Sequence, residues 1–405
     1  MATVILSTHN VVNFPDGGGH FWVYMQYVEG LRRVGCEVYW LEQFRPYGHA
    51  EYDSQLVNSF IARMEQRRMR DRVVLYSLAD GEDGLEPTYL NIGREQAEGI
   101  LKQADLLLNF NYRMRPALLS RFRRTALVDI DPGLLQCWIS IGQIPLARHD
   151  YYLTTGETVG AERALFPDGG VKWIHFRPPV CLDVWPYGHD PHCEAFSTVA
   201  GWWSGESVKE IIDGREVMYD NTKRAAFLEF VDLPRLTSQA LELAVLFSRN
   251  DGADRRFLEG HGWRIHDARD VTRTPEMYQT YIQHSRGEFS CAKKSCMKLQ
   301  NAWISDRTLC YLASGKPAVI QDTGPSVVLP NGLGMFRFST MEQAVEALAA
   351  VNADYPRHCR AARELTEAYF DAKTIAARIL EVTLGRPSSQ VGQNLRPQAL
   401  EFDQP

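Results

Sequence analysis

Short apolar runs and stretches of helical periodicity alternate along this chain from residue 3 onward. Runs at 3–8, 37–41, 72–78, 105–110, 126–130, 151–154 and 172–176 read as strands. Between them, 21–34, 57–70, 94–103, 116–123 and 134–141 read as helices. The strand runs are continuously apolar, as in Leu106-Leu107-Leu108, which a strand covered on both faces requires. Strand and helix in alternation predict βαβ units and a parallel sheet. A second series has strands over 196–202, 243–247, 263–266, 288–291, 318–321 and 334–336, and helices over 222–230, 275–283, 304–314 and 341–351. Within it, Asp213-Gly214 between apolar residues marks a hairpin. Four prolines within 177–191 separate the two series and hold the backbone extended. Helices over 357–370 and 373–383 close the pattern, and the polar tail beyond them is expected to be disordered.

The predicted class is therefore α/β, with two Rossmann-like domains and C-terminal helices. The expected division is a first domain over 1–180, a linker over 181–193, a second domain over 194–384 and a tail over 385–405. A chain of 405 residues is too long for one ordinary core, which agrees with two domains. No apolar run approaches the ~20 residues that cross a bilayer. The first residues run straight into a strand pattern with no basic segment or cleavage site, which argues against a signal peptide. Eight scattered cysteines do not make a disulfide framework, so a reduced, cytoplasmic setting without membrane insertion is expected. A net charge of −6 gives no global attraction to nucleic acid.

Candidate chemistry gathers in two places. After the first strand come Gly17, Gly18, Gly19 and His20. Three glycines let the backbone turn sharply and approach a ligand, and the helix that follows favours an anion at its N-terminus. The G-x-G-x-x-G spacing of a dinucleotide site is absent. An imidazole is a suitable base near neutral pH. Asp129 and Asp131 end a strand facing the same cleft and are the candidates to orient the histidine, and Asp131 could equally act as the base itself or cap a helix. Further on, 303–324 reads as an amphipathic helix ended by Gly315, a Lys-Pro step, a short strand and an exposed Asp322-Thr323-Gly324 turn. Such a turn lies where open α/β sheets place ligands, so Thr323 and Gly324 are donor-site candidates, with Arg249 and Asn250 one strand over.

These segments resemble known ones. The 303–324 run resembles the second-domain signature of GT-B glycosyltransferases, whose two Rossmann-like domains face across a cleft. The Gly19-His20 pair is similar to the first loop of the UDP-glycosyltransferases, where the histidine is the general base of inverting transfer. Leu31-Arg32-Arg33-Val34-Gly35-Cys36-Glu37-Val38 is similar to that family's Leu-x-x-Arg-Gly-His-x-Val step. Ser285-Arg286-Gly287-Glu288-Phe289-Ser290 is similar to the Ser-x-x-Glu-Gly-Phe-Gly segment of retaining GT-B enzymes, which implies donor contacts from Glu288 and Ser290. The ribose-binding glutamate of those enzymes falls at Cys310, and the nearest acid, Asp306, lies one turn earlier on the same helix face. Asp306 would chelate the ribose, or else cap the helix beside Ser305. Arg307 or Lys293 would neutralise the diphosphate in place of a metal.

The resemblance implies a metal-independent glycosyltransferase, inverting through a base. It would move a sugar from a nucleotide-diphosphate sugar, UDP first, to an acceptor hydroxyl on a small molecule, a glycan or a modified nucleic acid. No cofactor beyond that co-substrate is expected. A nucleotide-sugar epimerase, an enzyme acting on a modified DNA base, and a non-catalytic two-lobed binder are the alternatives. Arg63, Arg67, Arg68, Arg70 and Arg72 would grip a polyanionic acceptor or form a solvated face. His189, His192, Cys193 and Cys181 match no zinc-ligand spacing, and no metal site is expected.

Overall fold

Each half of the chain builds one open, twisted sheet. The computed structural model describes residues 1–78, 86–203, 208–212 and 215–386. In the first half the strands are β1 (Thr3–Thr8), β2 (Glu37–Gln43), β3 (Val73–Ser77), β4 (Thr88–Tyr89), β5 (Leu106–Asn109), β6 (Thr125–Asp129), β7 (Tyr151–Thr154) and β8 (Trp173–His175). Their order is β4-β3-β2-β1-β5-β6-β7-β8, and only the short β4 runs antiparallel to its neighbour. The second half contributes β9 (Ala195–Gly201), the antiparallel pair β10 (Val208–Ile212) and β11 (Arg215–Tyr219), then β12 (Ala240–Leu246), β13 (Arg264–Asp267), β14 (Gly287–Ser290), β15 (Ala318–Gln321) and β16 (Met335–Phe338). Its main sheet runs β13-β12-β9-β14-β15-β16, all parallel. In both sheets the first strand is central and the order reverses beside it, which opens a crevice at the carboxyl ends of the strands. The Asp213-Gly214 turn and the tail from residue 387 lie outside the described residues.

The two halves meet on helix Gly18–Arg33. Phe21, Trp22, Tyr24, Met25, Tyr27, Val28 and Leu31 are all buried, because this helix is covered on every side. Trp22 donates from Nε1 to the Pro275 carbonyl at 2.9 Å, and Gln26 accepts the Cys181 backbone N–H at 2.8 Å. One apolar cluster runs from Val4 and Leu6 through this helix to Leu309 and Tyr311 of helix Asp306–Ala313. Helix Ala372–Leu384, assigned to the second domain from its sequence position, packs against Gly18–Arg33 of the first. The proline segment is held down as well: Val180 exchanges backbone hydrogen bonds with Phe370 and Ala372, and Trp185 is fully buried. No described helix is long and apolar enough to cross a membrane.

Candidate active site

A cavity of about 480 Å³ opens at the carboxyl ends of β1, β5, β6 and β7. The first half supplies most of its wall, and Trp303, Ile304 and Asp306 close it from the second. Three candidates from distant parts of the sequence, His20, Asp131 and Asp306, line it together. Tyr24, Tyr27, Phe110, Tyr112 and Trp138 provide aromatic walls.

His20 sits in the first turn of helix Gly18–Arg33, half-buried. Its Nε2 lies 2.7 Å from the carbonyl oxygen of His9. A carbonyl only accepts, so Nε2 carries the proton and the basic lone pair is on Nδ1. Burial lowers the His20 pKa from its ordinary value, opposed by the His9 carbonyl, so the ring is neutral at pH 7. The group that orients this histidine is thus a backbone carbonyl, the role that the sequence had suggested for Asp129 or Asp131. Asp131 accepts a hydrogen bond from the Tyr112 hydroxyl at 3.1 Å. Asp129 is fully buried and serves as a brace, accepting from Thr154 Oγ1 at 2.7 Å, Gln136 Nε2 at 2.8 Å and the Asp131 backbone at 3.0 Å. Asp306 begins helix Asp306–Ala313, but the cap is Ser305, whose hydroxyl accepts the Arg307 N–H. The Asp306 carboxyl is left for the cavity, and burial pushes its pKa up to about 6 against the pull of Arg307.

The packing also gives several other candidates partners within the chain. Two of the three glycines admit the second half of the chain: a Cβ on Gly18 would strike the carbonyls of Thr272 and Thr274, and one on Gly19 the Tyr278 ring, while one on Gly17 would meet the Phe14 ring of the first half. Glu288 and Arg307, both donor-site candidates, bind each other. Arg307 Nε meets Glu288 Oε1 at 2.7 Å, while its Nη2 donates to Ser290 Oγ at 2.6 Å and Nη1 to the Val199 carbonyl at 2.9 Å. Glu288 is sealed from solvent, although its Oε2 has no hydrogen-bond partner among the described residues. Thr323 donates to the Trp303 carbonyl at 2.7 Å, and Gly324 leaves room for the backbone of Gln300. Both fix the 300–303 segment, and the crevice that Ser290 and Thr323 border encloses only about 10 Å³, roughly one water. Lys293 occupies the N-cap position of helix Lys294–Leu299 and does not line the cavity, and Arg249 stands exposed on the turn after β12. Of the arginine run, Arg63 and Arg67 lie over the Phe21 and Trp22 rings, while Arg70 and Arg72 pair with Glu65 and Glu37. Among the described residues no three His, Cys, Asp or Glu side chains group as metal ligands.

Sequence reasoning overlooked His9, Tyr27, Tyr112, Arg113 and Trp138 in the cavity wall. The signal for Tyr112 and Arg113 was their place just beyond β5, beside the switch point of the sheet. It also overlooked Lys223, a buried lysine that donates to the Cys291 carbonyl and whose pKa is pushed down to about 7 by burial and by Arg307. Nothing local marks Lys223, since its burial comes from strands far along the chain.

No protein-family model and no curated protein sequence matches the chain. Solved structures do. An alpha-glucosyltransferase (AGT) in complex with UDP superposes with a TM-score of 0.60 at 12% identity, covering 94% of this chain and 99% of that one. Anabaena Alr3699/HepE in complex with UDP-glucose gives 0.60 at 11% identity over 94% and 99% of the two chains. Sucrose-phosphate synthase (tll1590) from Thermosynechococcus elongatus gives 0.53 at 13% identity over 94% and 98%. At such identities the likeness establishes architecture alone: this chain has the GT-B fold of those glycosyltransferases.

Proposed function

We propose that the chain is a glycosyltransferase that moves a sugar from a nucleotide-diphosphate sugar, UDP first, to an acceptor hydroxyl. The observation that carries this reading is the meeting of His20, Asp131 and Asp306 from both halves of the chain around one cavity. In the proposed step the neutral His20 takes the acceptor's hydroxyl proton at Nδ1. The acceptor oxygen then bonds to the anomeric carbon, and the bond from that carbon to the diphosphate breaks, releasing the nucleoside diphosphate. This is inverting, metal-independent chemistry, in which Asp306 touches the donor and Asp131 the acceptor. A base within hydrogen-bond reach of the reacting hydroxyl contributes 10²–10⁴ in rate. A cytoplasmic setting belongs to the same reading and is supported by eight cysteines that form no disulfide among the described residues.

Thermal-shift measurements with UDP, GDP, TDP, CDP and ADP test the donor half. A nucleotide at 100 times its dissociation constant should stabilise the fold by about 2.7 kcal/mol. Stabilisation by none of the five rejects the reading, and loss of transfer in EDTA rejects its metal-independent form.

A further inference from the structure

The arginines of this chain are mostly spent on partners, and two beside the cavity are not. Arg113 lines the cavity from the loop after β5, and Arg45 follows β2. Since β2, β1 and β5 are neighbours in the sheet, these loops and His9 after β1 lie side by side at the cavity's edge. Both arginines are exposed, and neither has an ion-pair partner among the described residues. The loop carrying Arg45 is fixed: Asn13 donates to the Arg45 carbonyl at 2.7 Å and accepts its N–H at 3.0 Å. Both guanidinium groups are close enough to His9 to help burial depress its pKa to about 4, the burial being the larger cause. Deeper in the cavity the charge reverses, because Asp131 and Asp306 are half-buried carboxyls.

We infer that the acceptor is a small hydroxylated compound carrying a phosphate group, held at the cavity's edge by Arg45 and Arg113. This deepens the transferase reading and rests on it. A cavity with cations at its rim and carboxylates on its floor sorts the two ends of such a molecule. The phosphate is attracted to the guanidinium pair, which binds its oxygens through charge-assisted hydrogen bonds. The carboxylates repel that end and accept hydrogen bonds from hydroxyls, which brings a hydroxyl toward His20. A volume of about 480 Å³ fits one ring-sized ligand. The arginine run at 63–72 offers no second grip on a polyanion, since four of its five side chains are engaged within the protein.

The test is calorimetric titration of the full chain with glucose 6-phosphate, glucose and inorganic phosphate, with UDP titrated separately. Glucose 6-phosphate should bind at least tenfold more tightly than glucose, inorganic phosphate should compete with it, and raised salt should weaken it. Arg113→Gln and Arg45→Gln should each lower its affinity about tenfold or more and leave UDP affinity unchanged, as expected for charge-assisted bonds. Equal binding of the sugar and its phosphate, or tighter binding of duplex DNA than of either, overturns the inference. So do arginine variants that weaken UDP instead, because the pair would then hold the donor. Failure of UDP to bind the parent counts against the transferase reading, while the sugar-phosphate comparison still decides this one.

Discussion

At the carboxyl end of the first sheet, His20, Asp131 and their aromatic neighbours surround about 480 Å³ of open space. At the corresponding end of the second, Ser290 and Thr323 border about 10 Å³. Both ends carry the polar residues that a strand-end site needs, and both lie at a reversal of strand order. They differ in where the polar atoms are committed. In the second sheet Arg307 takes up Glu288 and Ser290, and Thr323 holds the 300–303 segment in place. In the first, the supporting bonds stand behind the site: Asp129 braces the turn, while Asp131 and His20 remain at the surface of the cavity. A polar residue at a strand end is therefore a site residue only when its neighbours leave it both space and bonding capacity.

The largest effect is expected at His20. His20→Ala should lower turnover by about 10²–10⁴ and leave nucleotide affinity nearly unchanged, as steady-state kinetics and titration will show. Near-parental turnover would move the base to Asp131. On the other side, Arg307→Met should act on stability. It strands a sealed Glu288 carboxylate, which costs about 3–5 kcal/mol in chemical denaturation. A variant that unfolds like the parent but no longer binds nucleotide would return Arg307 to the donor site. A smaller effect is expected at the contact between the halves: Gly18→Ala should cost about 1–3 kcal/mol, because the new methyl meets two backbone carbonyls.

The smallest effect is a pH dependence. Asp306 has a pKa of about 6 in the folded chain, and an unfolded aspartate titrates near 3.9. The folded form therefore holds its proton more tightly, so this group's contribution to stability is greatest below about pH 4 and is lost as pH rises through about 4 to 6. Asp306→Asn should flatten that part of the stability profile and raise the melting temperature at pH 7, while lowering turnover. An unchanged profile would mean that the Asp306 carboxyl is well solvated.

Much of the architecture was legible because its signals are local. Continuous apolar runs located β1, β5, β6 and β15, and Gly315, left-handed at φ +71°, ended its helix where the Gly-Lys-Pro step said it would. Helix Gly252–Gly260 left no such trace, since Leu258 is its one buried residue and a single position sets no period. Helix Ala50–Gln66 begins ahead of the expected 57–70 because its first turn is mostly exposed, and burial starts only at Leu56. In the site, position after a strand brought out His20 and Asp131, and the resemblance of the 303–324 run brought out Asp306. The Glu288–Arg307 pair was not legible, because it depends on which strand faces which helix. The glycine run shows the same limit: the sequence said that something approaches closely, and only the fold shows that it is residues 272–278 of the second half.

In the proposed reaction this cavity joins a nucleotide sugar to an acceptor hydroxyl. Mass-spectrometric detection of products from UDP-glucose, with and without glucose 6-phosphate, tests it most directly. The account predicts a glycosylated acceptor and free UDP in equal amounts, formed only when acceptor is present and strongly reduced in His20→Ala. Equal turnover of UDP-glucose without any acceptor, or a product that is merely an isomer of the donor, would contradict it.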